Sequence, residues 1–296
     1  MKRVIALGFF DGVHLGHRTL LARTRALADR LDVYAAATTF DRSPGKHVGL
    51  LTGLEDRSRL LKSLGRMDEV LTLPFDDALR SMPWEAFAAR LCRDYGAVHL
   101  VCGQNYRFGA QAAGTPALLA AFCKAHGVGF DVLPPLELDG NVVSSSLLRE
   151  LIAEGRTDKA ARYYGHPHVL SGTVVPGRHI GRGLGFPTAN LRPPQTLCLP
   201  RFGVYAVCAR FDGGVYTGVC NVGDNPTVQG EQVTVEILLD GFDGDLYGKQ
   251  LTAEFYCFLR PQRKFESLEA LKAEISRNQQ QARDYFAAAT REEAGD

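Results

Sequence analysis

The sequence has no C-x-x-C pair, and its seven cysteines are odd in number and lie mostly in apolar segments such as Leu100-Val101-Cys102. That excludes a disulfide scaffold and predicts reduced, core-packed thiols in a cytoplasmic protein. There is no excess of one charge: 34 Lys and Arg face 33 Asp and Glu, a formal +1. No global field gathers a polyanion, so nucleic acid is not an expected partner. The near-zero charge permits self-association without prescribing it, and a monomer or weak homo-oligomer is expected. No apolar run approaches the ~20 residues that span a bilayer. The start, Met1-Lys2-Arg3 and then Val4 to Phe10, imitates a signal peptide only until Asp11-Gly12, with no small-residue cleavage pattern. Neither a membrane partner nor export is expected, and no repeat or low-complexity linker is visible.

What is present is ample core material. With 296 residues, 45% hydrophobic and 23% charged, the chain suits two domains of ordinary size better than one oversized core. In the first half, β-rich runs alternate with helical periodicity: Val4 to Phe9, then Leu20, Leu21, Thr24, Leu27, Ala28 and Leu31 at helical spacing. The alternation continues through Val33 to Phe40, a helix at 54–64, Val70 to Leu73, a helix opened by Pro83, Val98 to Cys102, a helix opened by Thr115-Pro116, and Phe130 to Leu133. Five strands alternating with helices predict an α/β domain with a parallel sheet covered on both faces. Helical pieces near 145–154 and 157–164 would close it, placing the boundary near Gly165.

From His168 the pattern becomes strands with turn signals: 170–175, 203–210, 215–222, 233–239 and 251–259, with Asp212-Gly213 and Asp243-Gly244 as tight turns. An antiparallel sheet or small barrel is expected, followed by one amphipathic helix with Ser267 as N-cap and Leu268, Leu271, Ile275, Ala282, Tyr285 and Phe286 on or near one face. Residues 1–165 carry +3 and the remainder −2, so neither half binds polyanions by charge alone.

The most informative stretch is Gly8-Phe9-Phe10-Asp11-Gly12-Val13-His14-Leu15-Gly16-His17, between the first strand and the first helix. Glycines there let a backbone approach a phosphate chain, and the helix offers free N–H groups and a positive dipole end. The bland alternative for His14 and His17 is helix capping. A zinc site competes, but no cysteine or carboxylate stands at ligand spacing beside them. The H-x-G-H pattern resembles the nucleotidyltransferase superfamily that transfers an adenylyl group from ATP. Val143-Ser144-Ser145-Ser146-Leu147-Leu148-Arg149 resembles its I-S-S-T-x-I-R signature, which implies hydroxyls and the Arg149 guanidinium on the triphosphate; read alone, the serines are an N-cap cluster. Gly103-Gln104-Asn105-Tyr106-Arg107-Phe108-Gly109 resembles the loop of the flavin-specific branch, implying flavin contacts from Asn105, Tyr106, Arg107 and Phe108.

In the second half, Gly177, Gly181, Arg182, Gly183 and Gly185 lead into Phe186-Pro187-Thr188-Ala189-Asn190. A glycine-rich turn alone is weak evidence for a phosphate site. The G-x-P-T-A-N ending closely resembles the riboflavin kinase signature, with Thr188 and Asn190 offering the oxygen ligands that Mg²⁺ prefers. Glu236, inside the apolar run Val233 to Leu239, is the candidate base for an alcohol acceptor; a solvent-facing strand carboxylate is the alternative. Together these motifs resemble the bifunctional prokaryotic riboflavin kinase/FMN adenylyltransferase family, also called FAD synthetases. The resemblance implies a Rossmann-like nucleotidyltransferase domain over 1–165 and a β-barrel kinase domain over 166–296. It also implies riboflavin, FMN, FAD and ATP as ligands and Mg²⁺ as the metal, with ATP as co-substrate. Some positions depart from the family pattern: Arg42 and Ser43 in a usual T-F-D-P-H-P, Asn225 in a usual G-T-R-P-T, Asp240-Gly241 in a usual L-D-F, and Gln262 for a frequent glutamate. They leave open an adenylyltransferase with a regulatory flavin-binding barrel.

Overall fold

The first strand, β1 (Arg3–Ala6), is buried at three of its four residues and runs between two parallel neighbours. These are β2 (Tyr34–Phe40) and β4 (Ala97–Gly103), with β3 (Glu69–Leu73) and β5 (Gly129–Leu133) outside them, giving the order β3-β2-β1-β4-β5. The computed structural model describes residues 1–45, 49–177, 186, 188–227 and 230–294. The chain leaves β1 for β2 on one side and later enters β4 on the other, so the carboxyl end of β1 is a topological switch point, where α/β sheets bind ligands.

The connecting helices are α1 (Leu15–Leu31), α2 (Leu54–Ser63), α3 (Asp77–Ser81), α4 (Trp84–Arg93) and α5 (Pro116–Ala125). Pro83 stands at the N-cap of α4, and Thr115 caps α5 through the Leu118 N–H, as the sequence predicts. The short α3 is an addition: Asp76 accepts from the Leu79 N–H at 2.8 Å. The core on one face of the sheet joins Ile5, Leu7, Leu100 and Cys102 to Phe87, Leu91 and Leu119. A small hairpin, β6 (Glu137–Leu138) with β7 (Asn141–Val142), turns through Asp139 and Gly140, both at positive φ as a primed turn requires.

Two helices follow, α6 (Ser145–Ala153) and α7 (Thr157–Tyr164). The chain forms two compact units, Met1–Leu147 and Leu148–Asp296, so the structural boundary falls earlier than residues 165/166. The reason is α7, which packs on barrel strands β8 (His168–Val175) and β13 (Gln250–Pro261) and whose Thr157 hydroxyl donates to Tyr256 O at 3.2 Å.

The second unit is a closed barrel. Its remaining strands are β9 (Thr188–Arg192), β10 (Gly203–Phe211), β11 (Gly214–Thr227) and β12 (Gly230–Leu239), in the order β10-β11-β12-β9-β8-β13. Alternation sends Tyr205, Val207, Cys220, Val222, Val235 and Ile237, each almost fully buried, to the interior. The opposite face carries Val204, Ala206, Val219 and Leu238, which pack with Ile275, Ala282, Tyr285 and Phe286 of the final helix α8 (Leu268–Ala294). Ser267 caps α8, accepting from the Ala270 N–H at 3.1 Å. Leu268, expected on the packed face, is 56% exposed. Glu274 takes a buried place instead, bridged to Arg260 at 3.1 Å. Among the described residues, no helix is long and apolar enough to cross a membrane, and none of the seven cysteines forms a disulfide.

Candidate functional site

Between β1 and α1 the backbone takes a conformation few residues tolerate. Phe10 (φ 58°), Gly12 (φ 84°) and Val13 (φ 41°) all lie in the left-handed region. For a bulky or β-branched residue that costs about 1–3 kcal/mol and persists only where the surroundings enforce it. The surroundings here do. Asp11 Oδ1 accepts from the Leu51 and Thr52 N–H groups at 2.9 and 3.0 Å, and the Gly12 N–H donates to Thr52 Oγ1 at 3.0 Å. From β2, Thr39 Oγ1 donates to Phe9 O at 2.8 Å, and Thr38 Oγ1 accepts from the Gly8 N–H at 3.1 Å. A β-carbon on Gly8 would lie 2.9 Å from the Phe10 ring, so glycine is what lets that ring fold back.

The turn delivers two histidines to the start of α1. His14 is its N-cap, with Nδ1 accepting from the His17 N–H at 3.2 Å. An accepting Nδ1 places the proton of neutral His14 on Nε2. The capping alternative thus holds for His14, and it leaves Nε2–H as a donor type. The two rings stack at 3.6 Å, and His17 meets the Phe10 edge at 5.1 Å. Burial, followed by the charge of His14, pushes the His17 pKa well below its usual value. His17 is therefore neutral near pH 7 and suited to donate a hydrogen bond rather than to carry charge. A β-carbon on Gly16 would lie 3.2 Å from both the His14 ring and Val143 O, so glycine permits this close approach.

The serine run reaches the same turn. Ser145 Oγ donates to Asp11 O at 2.9 Å, Ser144 Oγ accepts from the Leu147 N–H at 3.3 Å as a cap of α6, and Ser146 is exposed. Arg149 lies one helical turn beyond Ser145 on α6, in the second unit. In the expected flavin loop, Asn105 and Arg107 are exposed, while Tyr106 is half-buried and stacks on Phe108 at 5.3 Å. Phe108 is 7% exposed and packs against Trp84 and Phe87, which makes it the floor beneath Tyr106.

Motif reading missed Thr38, Thr39, Thr52 and above all Arg57 on α2. Arg57 is 1% exposed, with its guanidinium 4.2 Å from the Phe9 ring centroid. Burial pulls its pKa down to about 10, opposed by the Asp11 charge, so it remains a cation at neutral pH.

In the barrel, Glu236 pairs in register with Asn190 on one side and Asn221 on the other. Directly opposed residues in antiparallel strands share a face, with β-carbons about 4.5–5.5 Å apart. Asn190, Glu236 and Asn221 thus form one polar row opposite the apolar interior. The charge of Glu236 adds to burial in pushing the Cys220 thiol up. Thr188 and Asn190 line a cavity of about 360 Å³ with Phe242, Asp243, Asp245 and Tyr247. Its oxygen donors have the chemistry a hard divalent cation takes. Gly177 approaches the Asn190 amide so closely that a β-carbon there would lie 2.7 Å from Oδ1. Gly181, Arg182, Gly185 and Pro187 lie outside the described residues. Among the described residues, no group of three or more His, Cys, Asp or Glu side chains is placed to hold a metal.

Comparison with known proteins matches each unit separately. The FAD synthetase family model matches residues 1–147, and the riboflavin kinase model matches residues 164–286. The curated bifunctional riboflavin kinase/FMN adenylyltransferase of Listeria monocytogenes is 31% identical over 295 residues, covering 97% of this chain and 93% of its own length. That of Pseudomonas fluorescens is 36% identical over 280 residues, covering 92% and 89%. A crystal structure described as a macrolide-efflux protein from Streptococcus pneumoniae superposes with a TM-score of 0.85 at 27% identity, covering 95% and 94%. With relatives this similar along nearly the whole length, the chain belongs to the family of bifunctional riboflavin kinase/FMN adenylyltransferases.

Proposed function

We propose that this chain carries out both steps from riboflavin to FAD, phosphorylating riboflavin to FMN in the barrel and adenylylating FMN in the parallel-sheet domain. The observation that carries the reading is the placement of the two family matches, one on each unit. The functional modules are assigned as residues 1–165 and 166–296, although α7 packs with the barrel. An adenylyltransferase with a merely regulatory barrel is not favoured, because the kinase match spans 164–286 and Glu236 stands beside Asn190.

In adenylyl transfer, an FMN phosphate oxygen bonds to the α-phosphorus of ATP as the bond to pyrophosphate breaks. The acceptor is already an oxyanion, so alignment and charge stabilisation are required and a base is not. His14 Nε2–H, neutral His17 and the N-terminus of α1 are assigned as donors to the phosphates, with Gly8, Phe9, Asp11, Gly12 and Gly16 forming the ATP turn. Ser144, Ser145, Ser146 and Arg149 are assigned to the triphosphate. Asn105, Tyr106 and Arg107 are assigned to the flavin, above the Phe108 floor.

In phosphorylation, the riboflavin hydroxyl oxygen bonds to the γ-phosphorus as ADP leaves. An alcohol holds its proton far above pH 7, so Glu236 is assigned to accept it. Gly177, Gly181, Arg182, Gly185 and Pro187 are assigned to ATP, and Thr188 and Asn190 to Mg²⁺. When bound, that ion neutralises phosphate charge. A cytoplasmic location is part of this proposal. The test incubates the protein with riboflavin, ATP and Mg²⁺ and chromatographs the flavins. FMN plus FAD is expected, and bound but unchanged riboflavin would refute the proposal.

A further inference from the structure

Arg57 heads the fully buried side chains by volume, yet no motif accounts for it. A buried guanidinium carries a desolvation cost of several kcal/mol unless its hydrogen bonds are well made. Nε donates to Thr39 Oγ1 at 2.8 Å, Nη2 to Phe40 O at 2.7 Å and Nη1 to Thr52 O at 3.3 Å, while the plane covers the Phe9 ring. These partners come from three segments: the β1–α1 turn, the carboxyl end of β2 and the approach to α2. Each partner also touches the turn. The Thr39 hydroxyl that accepts from Arg57 passes its own hydrogen to Phe9 O, and Thr52 holds Gly12 through Oγ1 and Asp11 through its N–H.

We propose that Arg57 is a positioning residue for adenylyl transfer, its guanidinium fork fixing the Phe9–Val13 turn in the conformation that receives ATP. The strain of positive φ at Phe10 and Val13 is what the clamp offsets. A planar fork is needed, because a single ammonium cannot serve three diverging acceptors and cover a ring. The inference rests on the assignment of the H-x-G-H turn to ATP.

The test measures initial rates of FAD formation from FMN and ATP by the full-length chain and its Arg57→Met, Arg57→Lys, Thr39→Val and His17→Ala variants. Misplacing a reactive turn by about 1 Å costs roughly a hundredfold. Arg57→Met and Thr39→Val are therefore expected to raise KM for ATP about fivefold or more and to lower kcat about tenfold or more. Arg57→Lys also raises KM, despite keeping the charge. KM is read only from molecules that fold. Wild-type KM with a lower kcat in Arg57→Lys and Thr39→Val would mean that Arg57 merely supports the core, and would overturn the proposal. If Arg57→Met yields no soluble protein, Thr39→Val and Arg57→Lys decide. Full FAD formation by His17→Ala would overturn the underlying ATP assignment. Its loss in His17→Ala alone, with wild-type KM in the other variants, would overturn only the role of Arg57.

Discussion

The imidazoles of His14 and His17 lie face to face, with centroids 3.6 Å apart and planes 16° from parallel. Two charged rings at that distance repel strongly in a partly desolvated site, which agrees with the depressed pKa of His17. Burial and this neighbour keep His17 neutral near pH 7, which suits it to N–H donation rather than to carrying charge. Removing one donor to developing phosphate charge typically costs about 10²–10³ in kcat. His17→Ala is expected to lower FAD formation from FMN by about that factor, while riboflavin phosphorylation proceeds at the wild-type rate. Chromatography of the flavins from each half-reaction checks this. An equal loss of both activities in a folded variant would contradict two separate sites.

Glu236 invites the reciprocal experiment. Its register neighbours, Asn190 and Asn221, are neutral amides, so Glu236→Gln keeps the shape of the row and removes only its proton acceptor. General-base removal costs typically about 10²–10⁴. Riboflavin phosphorylation should fall by that order, while FAD formation from supplied FMN is retained. Wild-type phosphorylation by Glu236→Gln would show that the carboxylate is not the base.

Much of this was legible because the signals were local. Strand–helix alternation gave the parallel sheet, and Thr115-Pro116 gave the start of α5. The H-x-G-H turn announced itself by glycines and histidines within ten residues. Arg57 was not legible: on α2 it stands among Asp56, Arg59 and Lys62 and reads as one more charge on a solvated helix. Only its contacts with the carboxyl end of β2 and with Phe9 in the β1–α1 turn, at long sequence separation, show that it faces inward. Strand β9 was missed for the opposite reason, since its five residues emerge from a glycine-rich run that reads as loop. Its pairing with β12, which sets Asn190 beside Glu236, is a register and not a motif.

Gly177 offers a test of the kinase cavity that leaves every polar group in place. Its φ is not in the left-handed region, so alanine is tolerated by the backbone, and the nearest atoms a β-carbon meets are those of the Asn190 amide. Relief requires Asn190 to turn away from Thr188 and the cavity. Gly177→Ala is therefore expected to raise KM for ATP in riboflavin phosphorylation about tenfold, with FAD formation from FMN unaffected. Steady-state kinetics at saturating riboflavin measure it, and an unchanged KM would show that Asn190 is not held by this contact.

His168 gives the second unit a pH-dependent stability. The side chain is 1% exposed, stacked on Tyr164 and tilted against Phe255, with Nδ1 3.4 Å from the Tyr164 hydroxyl. Burial, and then the neighbouring charge of His166, pulls its pKa down to about 3. The unfolded chain takes the same proton near the ordinary histidine value of about 6.5. Between those values the unfolded state binds a proton that the native state refuses, so protonation favours unfolding and stability falls as pH falls. The contribution is fully present above about pH 6.5 and declines by about 1.4 kcal/mol per pH unit below it until the native histidine titrates. His168→Gln keeps a polar group beside Tyr164 and cannot titrate, so its unfolding free energy should depend less steeply on pH between about 6 and 4 than that of the parent. Denaturant unfolding of both proteins across that range measures the two slopes, and parallel slopes would show that His168 is not the group responsible.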